Sequence, residues 1–273
     1  MQFTGADELL ARRYGEAIAA ARPVPEAVAG LLAHRSVRAF LPDSLPEGTL
    51  EILVAAAQSA SSSSNLQAWS VVAVQDPARK ARLAECAGGQ EHIRQAPLFL
   101  VWLADLSRLH RISQRLGKPD HGLDYLESLL VAVIDAALAA QNALVAAEAL
   151  GLGAVYIGAM RNLPEAVAAE LELPPRAFAA FGLCIGRPDP AHPAAVKPRL
   201  PQSAVLHRER YSAAAEEPAI DRYDRIAQDF QRSQNMNPVP WSAQSNARVR
   251  GPERLSGRDR LAEALHKLGF AFQ

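Results

Sequence analysis

The sequence predicts an α+β fold in which a sheet is sandwiched between helices. Three observations carry this. Apolar runs of strand length are few, and helical patterns of unequal length separate them. They do not form the long βαβ series that a doubly wound sheet requires. The segment 123–150 is apolar nearly all round, and as a helix it would span roughly 40 Å, about the width of a small domain.

Taken in order, residues 7–21 read as a helix stopped by "RPVPE", and Pro25 opens another that runs to about Ala33. "LPEGTLEILVAAAQSA" restarts a helix with Leu50, Leu53, Val54 and Ala57 on one face. "SSSSN" ends it, because serine hydroxyls compete for the backbone. "WSVVAVQD" alternates and is β-branched, which predicts a strand, and residues 77–87 read as helix until "GGQEH" breaks the pattern. "PLFLVWLAD" is a continuous apolar run, hence a strand buried on both faces.

Within 123–150, Leu126, Leu130, Val133, Ala137, Gln141 and Leu144 step along one face, while Leu129, Ile134, Leu138 and Val145 cover much of the rest. Such a helix packs on two sides, either at the centre of a monomer's core or shared between two protomers. "GLGAVYIGAM" reads as turn then strand, "NLPEAVAAELEL" as a short helix and "AFAAFGLCIGRP" as another buried strand. The proline-rich "RPDPAHPAAVKPRLP" excludes helix and central strand. Polar helical pieces follow near 217–233 and 257–268, joined by a loop, "SQNMNPVPWSAQSN". The organisation expected is an amino-terminal helical extension (1–24), a core (25–211) and a carboxy-terminal helical arm (212–273) belonging to the same domain.

Composition narrows the function classes. Of 273 residues, 49% are hydrophobic, which excludes a disordered chain, and 29 basic residues balance 29 acidic ones. A net charge of zero gives no support for nucleic-acid or membrane-surface binding. Cys86 and Cys184 lie among apolar neighbours without CxxC spacing, which predicts reduced, buried thiols and a reducing compartment. The first twenty residues carry acids and arginines unlike a signal peptide, and Asp135, Gln141, Asn142 and Glu148 argue against a membrane span, so a soluble cytoplasmic protein is expected. "GLGAVYIG" misplaces the third glycine of a dinucleotide fingerprint and leads into a strand. The absence of GxxxxGK[ST], HExxH and GxSxG removes the motif basis for a P-loop, a metal site or a serine hydrolase.

Three donor clusters remain. "HRSVRAF" holds His34, Arg35, Ser36 and Arg38; "SSSSNLQ" holds Ser62, Ser63 and Ser64; "VKPRLP" holds Lys197 and Arg199 between stiffening prolines. Each alone has a plain alternative, as a solvated turn, a loop at a helix exit or a linker. Together, cations and hydroxyls suit a phosphate monoester, each charge-assisted bond contributing about 1.5–3 kcal/mol. Three or four such bonds with a stacked flat ring would reach about −8 to −12 kcal/mol.

The same segments, with "GGQEHI", "AQNALVAAEALGLGAVYIGAMRN" and "FGLCIGRP" in this order, resemble the nitroreductase superfamily, in its branch of oxygen-insensitive NADPH nitroreductases and flavin reductases. The resemblance covers residues 25–211. It implies a three-layer sandwich around a mostly antiparallel sheet, and a homodimer with the long helix at its interface and FMN bound there. Carried over by position, His34, Arg35, Ser36 and Arg38 match the amino-terminal flavin segment, which implies His34 and Ser36 near the flavin phosphate and Arg38 near the pyrimidine edge of the ring. Ser62, Ser63 and Ser64 match serines that approach the flavin from the other subunit, and Gln90 matches a glutamine that reaches the ring. Tyr156, Ile157, Gly158 and Ala159 match the strand end whose backbone N–H faces flavin N5, and Lys197 and Arg199 match the phosphate-binding pair. No side chain is assigned as catalytic acid or base.

The activity implied is FMN-dependent two-electron transfer, by a ping-pong mechanism, from NAD(P)H to nitroaromatics, quinones or free flavin. The rivals are a flavin reductase feeding a partner, a dehalogenase, and a flavin carrier without turnover. Where relatives use basic residues for the NADPH 2′-phosphate, this chain offers Arg232, then Arg248 and Arg250. NADH is therefore expected to compete with NADPH as donor.

Overall fold

The computed structural model describes residues 5–17 and 23–273. These divide into two compact units. One comprises the described residues of 1–35 together with Ala195–Leu255, the other Ser36–Ala194 together with Ser256–Gln273.

The second unit holds the sheet, with β1 (Trp69–Val74), β2 (Leu98–Asp105), β3 (Gly153–Ile157) and β4 (Ala177–Gly186). Their spatial order is β1-β2-β4-β3 and every pairing is antiparallel. All eight residues of β2 are buried, as the unbroken apolar run predicts. Strand alternation divides them between two cores. Phe99, Val101 and Leu103 pack with Leu83, Ile93 and Val167. These come from α4 (Pro77–Cys86), α5 (Glu91–Gln95) and α8 (Pro164–Glu170). On the other face Leu98, Leu100 and Trp102 pack with Leu53, Ala57, Ala140 and Leu144, from α3 (Thr49–Gln58) and α7 (Leu126–Ala149). The result is the expected three-layer α+β sandwich.

The long helix α7 divides its surface differently from the expected pattern. Its buried stripe is made largely of small residues, Ala132, Ala136, Ala139, Ala140, Ala143 and Ala147, with Leu129 and Leu144. Leu144 therefore belongs to the inner face, not to the row of Leu126 and Leu130. Small side chains let the helix lie close on the sheet and on α3. Its large apolar residues Leu126, Leu130, Ile134 and Leu138 point outward, between 44% and 55% exposed. The helix is long and apolar enough to cross a bilayer, although it is the core helix of this unit.

The helix predicted over 7–21 is shorter. α1 (Ala6–Tyr14) stops at Gly15, whose left-handed φ of 71° closes the last turn. The rest of that prediction, from residue 18, lies outside the described residues. α2 (Glu26–Leu32) follows Pro25 as expected. Two helices escaped the sequence reading. α6 (Ser107–Leu116) has only Leu109, Ile112 and Leu116 as apolar residues. α10 (Trp241–Val249) begins inside the segment read as a loop and runs three residues past its end.

α10 starts directly after Pro240 and is fixed to α9 (Glu216–Ser233), since the Ser242 N–H and hydroxyl both donate to Asp224. The last helical piece begins as a 3-10 turn at Arg258–Arg260 and continues as α11 (Leu261–Lys267). Both cysteines carry free thiols, Cys184 buried and Cys86 half-buried, and burial pushes both thiols up from their ordinary pKa.

Candidate functional site

In the first unit, the predicted phosphate donors stand on anchored main chain. Pro198 is buried while Lys197 and Arg199 on either side of it are exposed. The Tyr223 hydroxyl on α9 donates to the Pro198 carbonyl at 2.8 Å, and the Arg199 N–H donates to the Arg13 carbonyl at 2.8 Å. The stiffness expected from the prolines is thus reinforced from two helices, and the two cations face outward. His34 and Arg35 follow α2 and are partly exposed, with the Arg35 guanidinium 3.4 Å from the Ala33 carbonyl. The Arg13 guanidinium also engages the main chain at both segments.

In the sheet unit, Ser36 forms a parallel bridge to Ala154 of β3, and the Val37 N–H donates to the Ala154 carbonyl at 3.0 Å. A Cβ on Gly153 would lie 2.6 Å from the Val37 side chain, so only glycine lets the two segments approach this closely. Val37 and Phe40 are buried, which turns Arg38 to the surface. Its charge acts on His92 of α5, whose pKa falls through burial first and the Arg38 charge second. Gln90, the residue before α5, donates from its side-chain amide to the Ala87 carbonyl at 3.1 Å. Arg38, Gln90 and His92 therefore belong to one neighbourhood, and the sequence reading assigned no role to His92.

The serine loop is held by Asp135, which no sequence motif marks as functional. Asp135, buried on α7, accepts from the Ser62 hydroxyl at 2.7 Å, the Ser63 N–H at 3.3 Å and the Ala68 N–H at 3.1 Å. Ser62 in turn accepts from the Gln67 N–H at 2.8 Å. Ser64, Asn65 and Gln67 have φ of 48°, 54° and 49°, left-handed conformations that cost a non-glycine residue about 1–2 kcal/mol each. A strained loop fixed by a buried carboxylate is a preorganised one. Ser62 spends its hydroxyl inside the loop, as an anchor.

At the end of β3, Ile157 and Ala159 are buried. Tyr156 is partly exposed, edge-on to Phe181 with ring centroids 5.4 Å apart and its hydroxyl 3.4 Å from Gln141. Gly158 opens a 3-10 turn through Arg161. A Cβ there would meet only the Arg161 guanidinium at 3.4 Å and that of Arg258 at 3.9 Å. Arg161 donates to the Ala180 carbonyl, and burial and then the Arg258 charge lower its pKa. These two arginines at Gly158 were not singled out from the sequence. Arg232 and Arg248 are exposed in the last turns of α9 and α10. Arg232 pairs with Asp229 at 2.6 Å, Arg248 donates to the Arg254 carbonyl, and Arg250 lies 3.6 Å from Glu253.

Sequence and fold both find counterparts. The nitroreductase family profile matches residues 31–187, and the carboxy-terminal domain profile of the same family matches 197–273. The chain belongs to the nitroreductase family. It is 39% identical over 243 residues to the oxygen-insensitive NADPH nitroreductase of Salmonella typhimurium, covering 88% of this chain and 96% of that protein. It is also 39% identical over 227 residues to an FMN reductase [NAD(P)H] of Bacillus subtilis, covering 80% and 88%. A solved structure of NfrA2 from B. megaterium superposes with a TM-score of 0.86 at 36% identity, covering 92% of this chain and all of that one.

Proposed function

We propose that this chain is an FMN-dependent oxidoreductase that uses NAD(P)H to reduce nitroaromatics, quinones or free flavin in two-electron, ping-pong turnover. The observation that carries this reading is the strap of Lys197 and Arg199, two outward cations astride a buried proline whose carbonyl is itself hydrogen-bonded. With His34 and Arg35 in the same unit, that donor set fits a dianionic phosphate better than a nucleic-acid backbone or a metal. The relatives' names, an NADPH nitroreductase and an FMN reductase, agree with this chemistry.

When bound, FMN supplies the redox chemistry between nicotinamide and acceptor. The protein supplies position and charge. In this reading His34, Lys197 and Arg199, all of the first unit, would hold the phosphate. Arg38, with Gln90 beside it, would supply a fixed positive charge to the pyrimidine edge of the ring. Ser63 and Ser64 offer hydroxyls from a loop that Asp135 keeps in place. The Gly158 main chain would face the ring in this reading, with Tyr156 and Ala159 at the same strand end. Arg232 and Arg248 are the cations available to a nucleotide phosphate.

We further read the molecule as a homodimer in the cytoplasm. The dimer is supported by the outward row Leu126, Leu130, Ile134 and Leu138 on α7, a larger apolar stripe than a solvated helix carries. The free thiols of Cys86 and Cys184 agree with a reducing compartment.

The test is direct. Purified protein titrated with FMN should bind it and quench its fluorescence. Under anaerobic conditions NADPH or NADH should bleach the bound flavin, and a nitroaromatic or quinone should restore its colour. Absence of flavin uptake would overturn the reading, while uptake without bleaching would leave a carrier. Relative turnover on free FMN, nitrofurazone and quinones then separates a flavin reductase from a nitroreductase.

A further inference from the structure

The amino-terminal helix α1 lies upstream of both matched family segments, which begin at residue 31 and at residue 197. Its residue Arg13 is nevertheless buried, an unusual place for a guanidinium. The side chain reaches three main-chain carbonyls. Nη2 donates to Leu32 at 2.7 Å and to His34 at 3.0 Å, and Nη1 donates to Lys197 at 3.1 Å. Its main chain answers in the other direction, its carbonyl accepting from the Arg199 N–H at 2.8 Å. One residue thus holds the backbone at His34 and at the Lys197–Arg199 strap, which begins 163 residues further along the chain (197 − 34). All of these groups lie within one compact unit.

The chemistry of the arrangement is specific. Leu32 is the last residue of α2, so its carbonyl is among those the helix leaves without an internal partner. A cation there caps the helix and fixes the direction in which the chain leaves it, towards His34. A planar fork of five donors suits several carbonyls at once, which a lysine ammonium at the end of a flexible stem does not.

We propose that Arg13 is a positioning residue for the phosphate-binding cations. It aligns the His34 segment with the Lys197–Arg199 strap so that both meet one phosphate group. This rests on the FMN reading above. Arg13 itself does not touch the ligand in this scheme. The amino-terminal extension, outside the family pattern, is thereby part of the binding machinery.

The experiment compares FMN with riboflavin, which has the same ring and no phosphate. Full-length apoprotein of the wild type, Arg13→Met, Arg13→Lys and Arg199→Ala is titrated with each by flavin fluorescence, with circular dichroism to verify folding. Arg199→Ala tests the underlying reading: if it leaves the FMN-to-riboflavin preference unchanged, the phosphate site fails whatever Arg13 does. Where it lowers that preference, Arg13→Met should weaken FMN binding about tenfold or more while riboflavin affinity moves by less than about threefold, and Arg13→Lys should fall between. A purely structural role would weaken both ligands alike. Equal losses for both ligands, or an unchanged preference in Arg13→Met, would overturn the proposal. So would failure of both Arg13 variants to fold, since Arg13 would then hold the fold rather than aim the cations.

Discussion

Burying a carboxylate costs several kcal/mol unless hydrogen bonds replace its water, and Asp135 receives three of them, all from the serine loop and the residue before β1. Removing it leaves two main-chain N–H groups and one hydroxyl without their acceptor. Asp135→Ala should lose roughly 2–4 kcal/mol of stability in urea denaturation, with Asp135→Asn between it and the wild type. A loss within about 0.5 kcal/mol would remove Asp135 from its anchoring role.

His92 gives a prediction in pH. Its folded pKa lies below the ordinary 6.5, through burial first and Arg38 second. The unfolded chain therefore takes up the proton first, and this contribution to stability is complete above about 6.5 and lost as pH falls toward the folded value. Arg38→Met should raise the His92 pKa in an NMR titration, though not to 6.5, because burial remains. It should also lessen the acid loss of melting temperature. An unmoved His92 titration would show that the two charges do not interact.

Helix α7 does two jobs with two faces. Alanines on the inner face bring it close to the sheet, while Leu126, Leu130, Ile134 and Leu138 are left outside. If that row is the dimer seam, Ile134→Glu with Leu138→Glu should convert the protein to a monomer in sedimentation equilibrium, because two carboxylates per chain would be desolvated there. A dimer of undiminished affinity would place the seam elsewhere. The proline-rich strap is the other decisive element. It has no regular structure of its own, and its order comes from Tyr223 of α9 and Arg13 of α1.

In the proposed reading, nucleotide preference belongs to the molecule as a whole, since the carboxy-terminal arm would supply the cations. Arg232 has the Asp229 carboxylate at 2.6 Å, which offsets its charge, and Arg248 is turned to the Arg254 carbonyl. Both thus already have partners within this chain. We expect kcat/KM for NADH within about tenfold of that for NADPH in steady-state assays. A preference for NADPH beyond about a hundredfold would mean that the arm rearranges around the nucleotide.

The α+β class, the buried strand over 98–105, the long helix and the stiffness of the proline-rich segment were legible in the sequence, because strand and helix periodicities and proline stiffness are local properties of the chain. The helices Ser107–Leu116 and Trp241–Val249 were not, since few apolar residues mark them and α10 is held by a contact to Asp224, seventeen residues before it begins (241 − 224). Nor could the sequence show which side of α7 faces inward, because leucines stand on both. Tertiary structure alone decided that Asp135 pins the serine loop, that His92 sits in the field of Arg38, and that Arg13 joins two distant backbones. Hydrogen bonds and charges act through space, between residues whose separation along the chain carries no sign of their meeting.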